Sequence, residues 1–486
     1  MSNLSDLLPS GGGQNIVDFT ASGTIASGKP VILNDNGTVT QVGTVPEALG
    51  SQTPFSSTTT TRIASCYDPD TGKTIIAYRG ASDYGYIVVA TPASDNSITF
   101  GTPVEFRDGT VNEVALSYDT GQDKVLLCYV DGSDGNSLKA ITVTVSGTTI
   151  SLSTNLIVEG NSSSFIAVAY SPDSANHMVI YSDGGNSSRG AARVITISGA
   201  GAPSRTNPEV LYNGSSNQVQ SQDVVYDTTQ DKFIVFYRDA GNSYYGECVV
   251  GSISGTTITF GTPVALNSDN TNDIALAFDS TNEKTVVLYK AGQDPRSRVI
   301  SVSGTTPSAG SETVIVSLSS SGQYDLVYES QAGKLIAIFD NEDDSEGEYA
   351  VGTVSGTGIT YLTPVTFNSD GRAKYNGASF NASVNKVVLA FEDIGNSSYG
   401  TAQVLQVSGT NLTATNFIGL AAGAISDTAT GKINVKGSIN SKQSSLTIGS
   451  DYYVQTDGTV TTSSTSPAQK IGQAVTATTI NMMDLT

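Results

Sequence analysis

The sequence predicts an all-β fold made of repeated units, and three observations support this prediction. A pattern of apolar strand, aromatic residue, acidic turn, lysine and second strand recurs along residues 65–391. The anchor aromatics of this pattern lie 51, 52, 56, 52, 50 and 52 residues apart, at Tyr67, Tyr118, Tyr170, Tyr226, Phe278, Tyr328 and Phe380. Each period also contains four strand-like runs separated by Gly, Asn, Asp and Ser turns, with no helical stretch long enough for a crossover.

A period of this length is typical of β-propellers. Four antiparallel strands form one blade, and so small a blade buries both faces only when it packs between neighbours. Small residues alternate with large ones in the first strand, as in Ala115 and Ser117 beside Val114, Leu116 and Tyr118. Successive side chains point to opposite faces, so each blade offers a small face to its neighbour's large face. The sequence therefore predicts a seven-bladed β-propeller.

The two ends of the chain resemble each other. Gly28–Thr40 and Gly449–Thr461 both contain an apolar strand, an Asp-Gly or Asn-Gly turn and Thr-Val-Thr, which is a hairpin signal. We expect both termini to form one small β-sandwich or barrel-like domain, with the propeller inserted between them, because a closed ring keeps its own ends close together. The predicted domains are an arm at 1–14, the terminal β attachment domain at 15–50 and 417–486, and the propeller at 51–416.

The last repeat lacks the long outer strands of the others, which end in segments such as Ile98–Phe106 and Ile258–Leu266. Only Leu412–Gly419 follows it as an outer strand. We therefore predict that a segment around Val45–Ser57 adds to the last blade and closes the ring.

Composition and charge exclude several classes of protein. The formal net charge is −21, so the surface repels phosphate backbones and nucleic acid is not an expected partner. No apolar run is long enough to span a bilayer, and the N-terminus has no secretory signal, so membrane insertion is not expected. Cys66, Cys128 and Cys248 lie in strands of three different repeats, which predicts small buried core residues rather than disulfides.

The loops that join the second and third strands are the main candidate site. They should gather on one face of a propeller, and they are rich in the Tyr, Ser, Gly and Asn that binding loops favour. The alternative is that their Gly-Asn-Ser and Asp-Gly sequences are simply good turns. The candidate ligand-binding residues are Tyr84, Tyr86, Asn242, Tyr244, Tyr245, Asn396 and Tyr399.

Other patterns have structural explanations. The acidic residue and lysine of each first turn, such as Asp119 and Lys124, are expected to pair across the hairpin. Charged residues stand five positions before three anchors, at Arg62, Glu113 and Asp273, where they would line the channel mouth as a site or as solvated rim charges.

No catalytic constellation is predicted, so we expect a protein that is not an enzyme. The single histidine, His177, is assigned to the lysine position of the third turn, because that copy is taken to be one residue longer. This assignment leaves no histidine for a catalytic triad or a His-rich metal site. A glycosidase needs only two carboxylates, and no pair among the many acids is singled out.

No cofactor is expected, although calcium is an alternative. Asp68–Gly72 and Asp340–Glu348 bring oxygen ligands close together in the sequence. Neither matches the full twelve-residue calcium-binding loop.

The terminal segments Ala21–Gly43 and Phe417–Ser464 resemble those of tailed-bacteriophage virion proteins, especially tail-fibre-like and decoration-like ones. These two segments make up about 15% of the chain. The resemblance implies a structural protein made in the bacterial cytoplasm, assembled into the virion as a homo-oligomer beside other virion proteins, and released by lysis. The propeller would then be a head that recognises a host cell-surface glycan or protein. A polysaccharide-degrading tail enzyme and a cellular glycan-binding adhesin are the alternatives.

Overall fold

The computed structural model describes residues 15–34, 37–199, 201–205, 210–212, 218–412, 416–464 and 469–482. The expected arm at 1–14 lies outside the described residues. The chain divides into two compact units, a smaller one of residues 1–47 with 408–486 and a larger one of residues 48–407. Residues 408–416, assigned to the propeller from the sequence, belong to the smaller unit.

The first strands of the chain are β1 (Ile16–Thr20), β2 (Pro30–Leu33), β3 (Val39–Gln41) and β4 (Thr44–Val45). In the larger unit, a closing segment and the first two repeats contain β5 (Ala48–Leu49), β6 (Thr53–Thr59), β7 (Thr61–Asp68), β8 (Lys73–Arg79), β9 (Gly85–Pro92), β10 (Ile98–Phe100), β11 (Val104–Arg107), β12 (Val111–Asp119), β13 (Lys124–Asp131), β14 (Ser137–Ser146) and β15 (Thr149–Leu152). The third and fourth repeats contain β16 (Leu156–Ser171), β17 (Asn176–Asp183), β18 (Arg189–Ile197), β19 (Pro203–Arg205), β20 (Val210–Leu211), β21 (Val219–Asp227), β22 (Lys232–Asp239), β23 (Tyr245–Ser254), β24 (Thr257–Phe260) and β25 (Val264–Asn267).

The last three repeats contain β26 (Thr271–Asp279), β27 (Lys284–Ala291), β28 (Asp294–Ser303), β29 (Thr306–Ala309), β30 (Thr313–Val314), β31 (Ser321–Glu329), β32 (Lys334–Asn341), β33 (Glu346–Ser355), β34 (Gly358–Tyr361), β35 (Val365–Asn368), β36 (Ala373–Asn381), β37 (Lys386–Asp393) and β38 (Tyr399–Gln406). The chain ends with β39 (Gly409–Thr410), β40 (Phe417–Ala421), β41 (Thr430–Val435), β42 (Ile439–Asn440), β43 (Asp451–Val454), β44 (Val460–Thr461), β45 (Gln469–Thr476) and β46 (Thr479–Asn481). The helical elements in the described residues are short 3-10 turns at Ala81–Asp83, Gly132–Asp134 and Gly184–Asn186.

The larger unit follows the sequence repeat, and we number the repeats 1 to 7 by their anchors from Tyr67 to Phe380. In most repeats the first strand pairs with the second, the second with the third, and the third with two short outer strands. All of these pairings are antiparallel. The long strand β16 pairs with both β14 and β17, so repeats 2 and 3 form one continuous sheet. The all-β fold predicted from the sequence is confirmed.

The first strands of the repeats contact one another in sequence order, from β7 through β12, β16, β21, β26 and β31 to β36. Strand β36 also contacts β7, so this row of first strands closes on itself. The anchor hydroxyls join neighbouring repeats: Tyr226 donates to Asp173 at 2.6 Å, and Tyr328 donates to Thr281 at 2.6 Å. Each of these anchors therefore reaches the first turn of the preceding repeat.

The segment that closes the ring comes from the beginning of the larger unit. Strands β5 and β6 pair antiparallel with β38, the third strand of repeat 7. The addition of a segment around Val45–Ser57 to the last repeat is thus confirmed. The expectation that Leu412–Gly419 forms an outer strand there is wrong, because β5 and β6 occupy the outer positions. Strand β40 instead pairs with β2 and β41 in the smaller unit.

The smaller unit combines strands from both ends of the chain. One sheet has the order β1-β41-β40-β2-β3, and a second has the order β42-β46-β45-β43-β44. Ile32 and Leu420 of the first sheet share a buried cluster with Val454 and Ile471 of the second. The predicted hairpin between β2 and β3 is present, although residues 35–36 of its turn lie outside the described residues.

Three details of the repeats differ from, or add to, the sequence analysis. Asp119 lies opposite Lys124 across the hairpin, as expected, and its Oδ1 also accepts hydrogen bonds from the backbone N–H groups of Gly121 and Gln122 and so holds the turn. The same capping recurs at Asp68, Asp227, Asp279 and Glu329. All three cysteines are free, as predicted.

The assignment of His177 to the lysine position is wrong. Its repeat has the same length between anchor and second aromatic as the others, so Asn176 takes the lysine position. His177 lies one residue further along β17, opposite Tyr170, and is fully buried.

Candidate functional site

Each first strand of the larger unit carries an irregularity at the same place. The ladder between first and second strands shifts register near the residue five positions before the anchor. We call the residues at this position the mouth residues: Arg62, Glu113, Phe165, Ser221, Asp273, Gln323 and Tyr375. All except Glu113 have a left-handed backbone, with φ between 46° and 56°.

This backbone conformation is unusual for these residue types. A positive φ is uncommon outside glycine, and for bulky residues such as Phe165 and Tyr375 it is a genuine outlier. Bulges re-aim side chains and are frequent next to binding and active sites. Strained residues of this kind persist only where the surrounding structure determines them, and they cluster at ligand sites. The recurrence of the strain through the repeats marks this level of the ring as a candidate site.

Interactions between neighbouring repeats link the mouth residues in pairs. The Glu113 carboxylate accepts a hydrogen bond from the backbone N–H of Ile166 in repeat 3 at 2.8 Å. The Ser221 hydroxyl accepts one from the N–H of Ile274 in repeat 5 at 3.2 Å. In both pairs the donor is the residue after the next mouth residue. Within the described part of the chain, no further strand lies beside the inner edge of each sheet. These bonds therefore satisfy backbone groups that would otherwise lack a partner within the sheet.

Contacts of other kinds join mouth residues to further neighbouring repeats. The Gln323 side-chain oxygen accepts a hydrogen bond from the N–H of Tyr375 at 3.1 Å. The Arg62 guanidinium lies 5.0 Å from the centre of the Tyr375 ring, which joins repeat 7 to repeat 1. Gln222 of repeat 4 donates to the backbone carbonyl of Phe165 at 2.5 Å. The mouth residues therefore lie at one level of the ring.

The side chains at this level differ, although the backbone repeats. The seven mouth residues are seven different amino acids. Two positions later, at 64, 115, 167, 223, 275, 325 and 377, the residues are Ala, Ala, Ala, Asp, Ala, Asp and Gly. Packing between repeats favours small residues at these positions. The side chains of a surface that contacts a ligand can differ from one repeat to the next. Phe165 is 40% exposed, unlike the buried aromatics of the second strands.

A pocket of about 490 Å³ opens at this level between repeats 7 and 1. Its volume lies within the range of small-molecule sites. We call it the mouth pocket, and it is lined by Thr58, Thr59, Thr61, Arg62, Arg79, Gly80, Ala81, Ser82, Asp83 and Tyr375. Arg79 is paired with Asp83, to which its Nε donates at 2.9 Å.

Two carboxylic acids interrupt the row of small residues on the inner strands. Asp223 accepts hydrogen bonds from the N–H groups of Val224 at 2.8 Å and of Leu276 in the next repeat at 2.7 Å. Asp325 makes the equivalent bonds to Leu326 and Ala378. Burial raises the pKa of Asp223 to about 7 and that of Asp325 to about 6. The sequence analysis did not single out either acid.

The loop residues predicted as ligand contacts lie in three separate repeats. In repeat 1, Tyr84 follows the turn Ala81–Asp83, and Tyr86 stacks on Tyr78 with ring centres 5.8 Å apart. The Tyr86 hydroxyl lies 3.4 Å from Glu105, and burial together with this carboxylate raises the pKa of Tyr86. Part of the Tyr86 side chain therefore packs within its own sheet.

In repeat 4, Tyr244 is 42% exposed and lies beneath the Arg238 guanidinium, 4.2 Å from its ring centre. Asn242 donates to Glu247 at 2.8 Å, and Tyr245 begins β23 as a half-buried residue. Tyr244 is therefore the candidate in this loop that presents a large exposed surface.

In repeat 7, the carbonyl of Asn396 accepts a hydrogen bond from the N–H of Tyr399, the half-buried first residue of β38. The turn is held from both sides, since the N–H of Thr60 also donates to the carbonyl of Ser398. These contacts are those of a well-formed turn. The binding role of Asn396 and Tyr399 stays a prediction.

The sequence analysis missed Phe165 and Tyr375. It noticed the position five residues before the anchor only where that position is charged, at Arg62, Glu113 and Asp273. The signal that could have found the other mouth residues is their constant distance from the anchor. Hydrophobic periodicity does not reveal it, because the special feature is the backbone angle.

Among the residues that the structure describes, no group of three or more His, Cys, Asp or Glu side chains is arranged to hold a metal ion. Calcium binding at Asp68–Gly72 or Asp340–Glu348 stays a prediction. The described part of the chain also contains no helix long and apolar enough to cross a membrane.

Comparisons with known proteins identify similar folds. No protein-family model matches the sequence, and no curated protein matches it. Among solved structures, the chain is similar to the β-propeller domain of Cps50 (Swd1) from Myceliophteria thermophila, with 8% identity over 73% of this chain and 99% of that chain and a TM-score of 0.47. It is also similar to the Dos1 propeller, with 12% identity, 74% and 95% coverage and a TM-score of 0.44. The NanB sialidase from Streptococcus pneumoniae gives 12% identity, 73% and 70% coverage and a TM-score of 0.44.

Proposed function

We propose that the protein is a non-enzymatic adhesion protein whose larger unit is a seven-bladed β-propeller with a ligand-binding mouth. Seven sequence repeats and the closed row of first strands support the blade number. One observation carries the functional part of the proposal: strained non-glycine residues recur at one level of the ring, and all of the mouth residues differ. A repeated scaffold that holds a variable set of side chains is suited to recognition.

The chemistry of the mouth favours a glycan or a polar protein surface as the ligand. The mouth residues combine aromatic rings, a guanidinium, carboxylates, an amide and a hydroxyl. Aromatic faces provide contact area at low entropic cost, and the polar groups supply directional hydrogen bonds. Tyr244, exposed beside Arg238, would extend this surface.

We further propose that the smaller unit is a β-sandwich that attaches the protein to a bacteriophage virion as part of a homo-oligomer. The support is the shared core of its two sheets and the resemblance of its segments to tail-fibre-like and decoration-like proteins. The mouth would then recognise a host cell-surface glycan or protein. A cellular glycan-binding adhesin would use the same mouth.

A polysaccharide-degrading enzyme is the second candidate, and Asp223 and Asp325 are the observation that favours it. Burial raises the pKa of both acids, as a general acid requires. Their oxygens, however, already accept backbone hydrogen bonds that join the repeats. This engagement favours a structural role for the two acids.

The experiment that tests the proposal exposes purified protein to an array of bacterial surface polysaccharides, with and without calcium, and assays for new reducing ends. Binding without sugar release supports the adhesive head. Sugar release that Asp223→Ala abolishes supports the enzyme instead. An absence of binding to any polysaccharide, and to intact bacterial cells as a source of protein receptors, would contradict recognition by the mouth.

A further inference from the structure

We propose that the mouth pocket binds a saccharide that carries a carboxylate, with Arg62 as the carboxylate-binding residue and Tyr375 as its aromatic support. The inference rests on the proposed recognition function and names the ligand class for one part of the mouth. Three observations carry it: the state of the two arginines, the polar groups around them, and the backbone strain of the pocket.

The two arginines of the pocket differ in their partners. Arg79 donates to Asp83, so its charge is already compensated. Arg62 is exposed, and its guanidinium lies over the Tyr375 ring. No carboxylate of the described residues lies within ion-pair distance of Arg62. Arg62 is therefore the cation in this pocket that can bind an anion.

The position of Arg62 over the Tyr375 ring also leaves it able to bind an anion. A guanidinium that uses its face for an aromatic ring keeps the N–H groups at its edge available. A carboxylate in the plane of the group can then accept two parallel hydrogen bonds. The arrangement is thus prepared for a planar anion that approaches along the pocket.

The charge of the protein favours a single negative charge on the ligand. The chain carries a net charge of −21, so a multiply charged anion such as a phosphate is repelled more strongly than a carboxylate. The Glu113 carboxylate of repeat 2 interacts electrostatically with Arg62 and so lowers the positive potential in the pocket. A monoanionic group matches a pocket in which Arg62 has no carboxylate at ion-pair distance among the described residues.

The remaining lining selects a polyhydroxylated molecule rather than an apolar acid. Thr58, Thr59, Thr61 and Ser82 place hydroxyl groups around the pocket. An apolar ligand would remove the water that is hydrogen-bonded to these hydroxyl groups and would offer them no new hydrogen bonds. This loss costs binding free energy. Sugar hydroxyls can replace those bonds, and the Tyr375 ring can pack against the face of a pyranose.

The pocket also concentrates backbone strain. Arg62, Ser82, Asp83 and Tyr375 all have positive φ, at 53°, 58°, 64° and 48°. Four of the ten lining residues are therefore non-glycine residues in the left-handed region. Such residues keep their conformation only where the surrounding structure fixes it, which gives a rigid pocket with low ordering cost on binding.

The test is isothermal titration calorimetry of the full chain with acidic probes that carry one carboxylate and their neutral counterparts: galacturonate against its methyl ester, and sialyllactose against lactose. The expected result is that at least one acidic probe binds roughly ten-fold or more tightly than its neutral counterpart, as one charged hydrogen-bonding partner predicts. This binding should weaken as sodium chloride is added.

Arg62→Asn is the principal variant, because asparagine tolerates a positive φ and carries no charge. It should weaken binding of the acidic probe roughly ten-fold or more, and Arg62→Lys should give an intermediate loss, because lysine keeps the charge without the planar fork. Lys432→Gln, an exposed lysine of the smaller unit, removes the same charge and should leave binding unchanged. Unchanged thermal unfolding of each variant shows that the loss is not misfolding.

The outcomes separate this inference from the proposed function. Equal binding of acidic and neutral probes, or unchanged acidic binding by Arg62→Asn, overturns the inference and leaves mouth recognition standing. Binding of other glycans on the array, with no binding of either acidic probe, also overturns it. If no saccharide of any kind binds, the inference falls together with glycan recognition.

Discussion

The Asp223 carboxylate in repeat 4 accepts a hydrogen bond from the backbone N–H of Leu276 in repeat 5 at 2.7 Å. Asp325 and Ala378 form the same pair between repeats 6 and 7. Four of the other repeats have alanine at the corresponding position. The acid is thus an addition to a standard scaffold, and it joins two neighbouring sheets at their inner edge.

Asp223→Ala should destabilise the protein more at pH 5 than at pH 8. Burial raises the pKa of Asp223 to about 7, above the value of about 3.9 expected for an unfolded chain. Its stabilising contribution is therefore complete below about pH 4 and is lost as the pH rises through about 7. We expect a loss of about 1–2 kcal/mol at pH 5, measured by urea unfolding. A loss that grows towards pH 8 would contradict this account, and Asp325→Ala provides a parallel case.

Phe55→Ala should lower the free energy of unfolding by about 3–5 kcal/mol, the usual cost of truncating a buried aromatic. Phe55 lies on β6, is 6% exposed and packs edge-on against Tyr78, with ring centres 5.1 Å apart. It therefore fastens the segment that closes the ring. Phe165→Ala is the matched control, because its side chain is 40% exposed. Denaturant unfolding should separate the two variants clearly, and equal losses would refute the closing role of Phe55.

Gly400→Ala should destabilise the protein through Phe55. A Cβ atom at Gly400 would lie 2.5 Å from the Phe55 ring, so the ring would have to move. We expect a loss of about 1–3 kcal/mol, as for other overpacked cores. In the Phe55→Ala background the same substitution should cost much less, because the ring is absent. A double-mutant cycle measures the difference, and additive losses would contradict direct contact as the cause.

His177→Val should stabilise the protein in mild acid. Burial lowers the pKa of His177 below the value of about 6.5 of an unfolded chain, although nearby Asp119 opposes this shift. The neutral imidazole therefore contributes stability above about pH 6.5 that is lost as the pH falls. Valine stands at the corresponding position in repeats 2 and 7, at Val125 and Val387. The unfolding temperature of the variant should exceed that of the parent at pH 5.5 but not at pH 8. A higher unfolding temperature at pH 8 alone would contradict the lowered pKa of His177.

The repeat architecture could be predicted because it is encoded in composition and spacing. Anchor aromatics such as Tyr226 recur at nearly constant distance, and the missing outer strands of repeat 7 pointed to the segment that contains Phe55. Both features depend on which residues are apolar and how far apart they lie. Sequence patterns report these properties directly.

The mouth could not be predicted in the same way. The left-handed backbone of Phe165 and Tyr375 arises from a bulge that the neighbouring sheets impose, and neither residue type favours it. The capping role of Asp119 was missed because a carboxylate next to a lysine suggests an ion pair, whereas the nearby backbone N–H groups are the partners in the structure. Tertiary context decides the first case, whereas in the second a local turn decides, because the carboxylate caps N–H groups two and three residues along the chain.

The central claim is that the level of the ring that carries the mouth residues recognises the ligand. The most direct test compares polysaccharide-array binding of two triple variants. Arg62→Asn, Phe165→Asn and Tyr375→Asn change three mouth residues to a non-glycine residue that tolerates a positive φ. Thr228→Asn, Ser280→Asn and Ser330→Asn change exposed residues of the first turns, at the opposite ends of their first strands. We expect the mouth variant to lose binding and the turn variant to keep it. Retained binding by a folded mouth variant, or its loss in the turn variant, would contradict the claim.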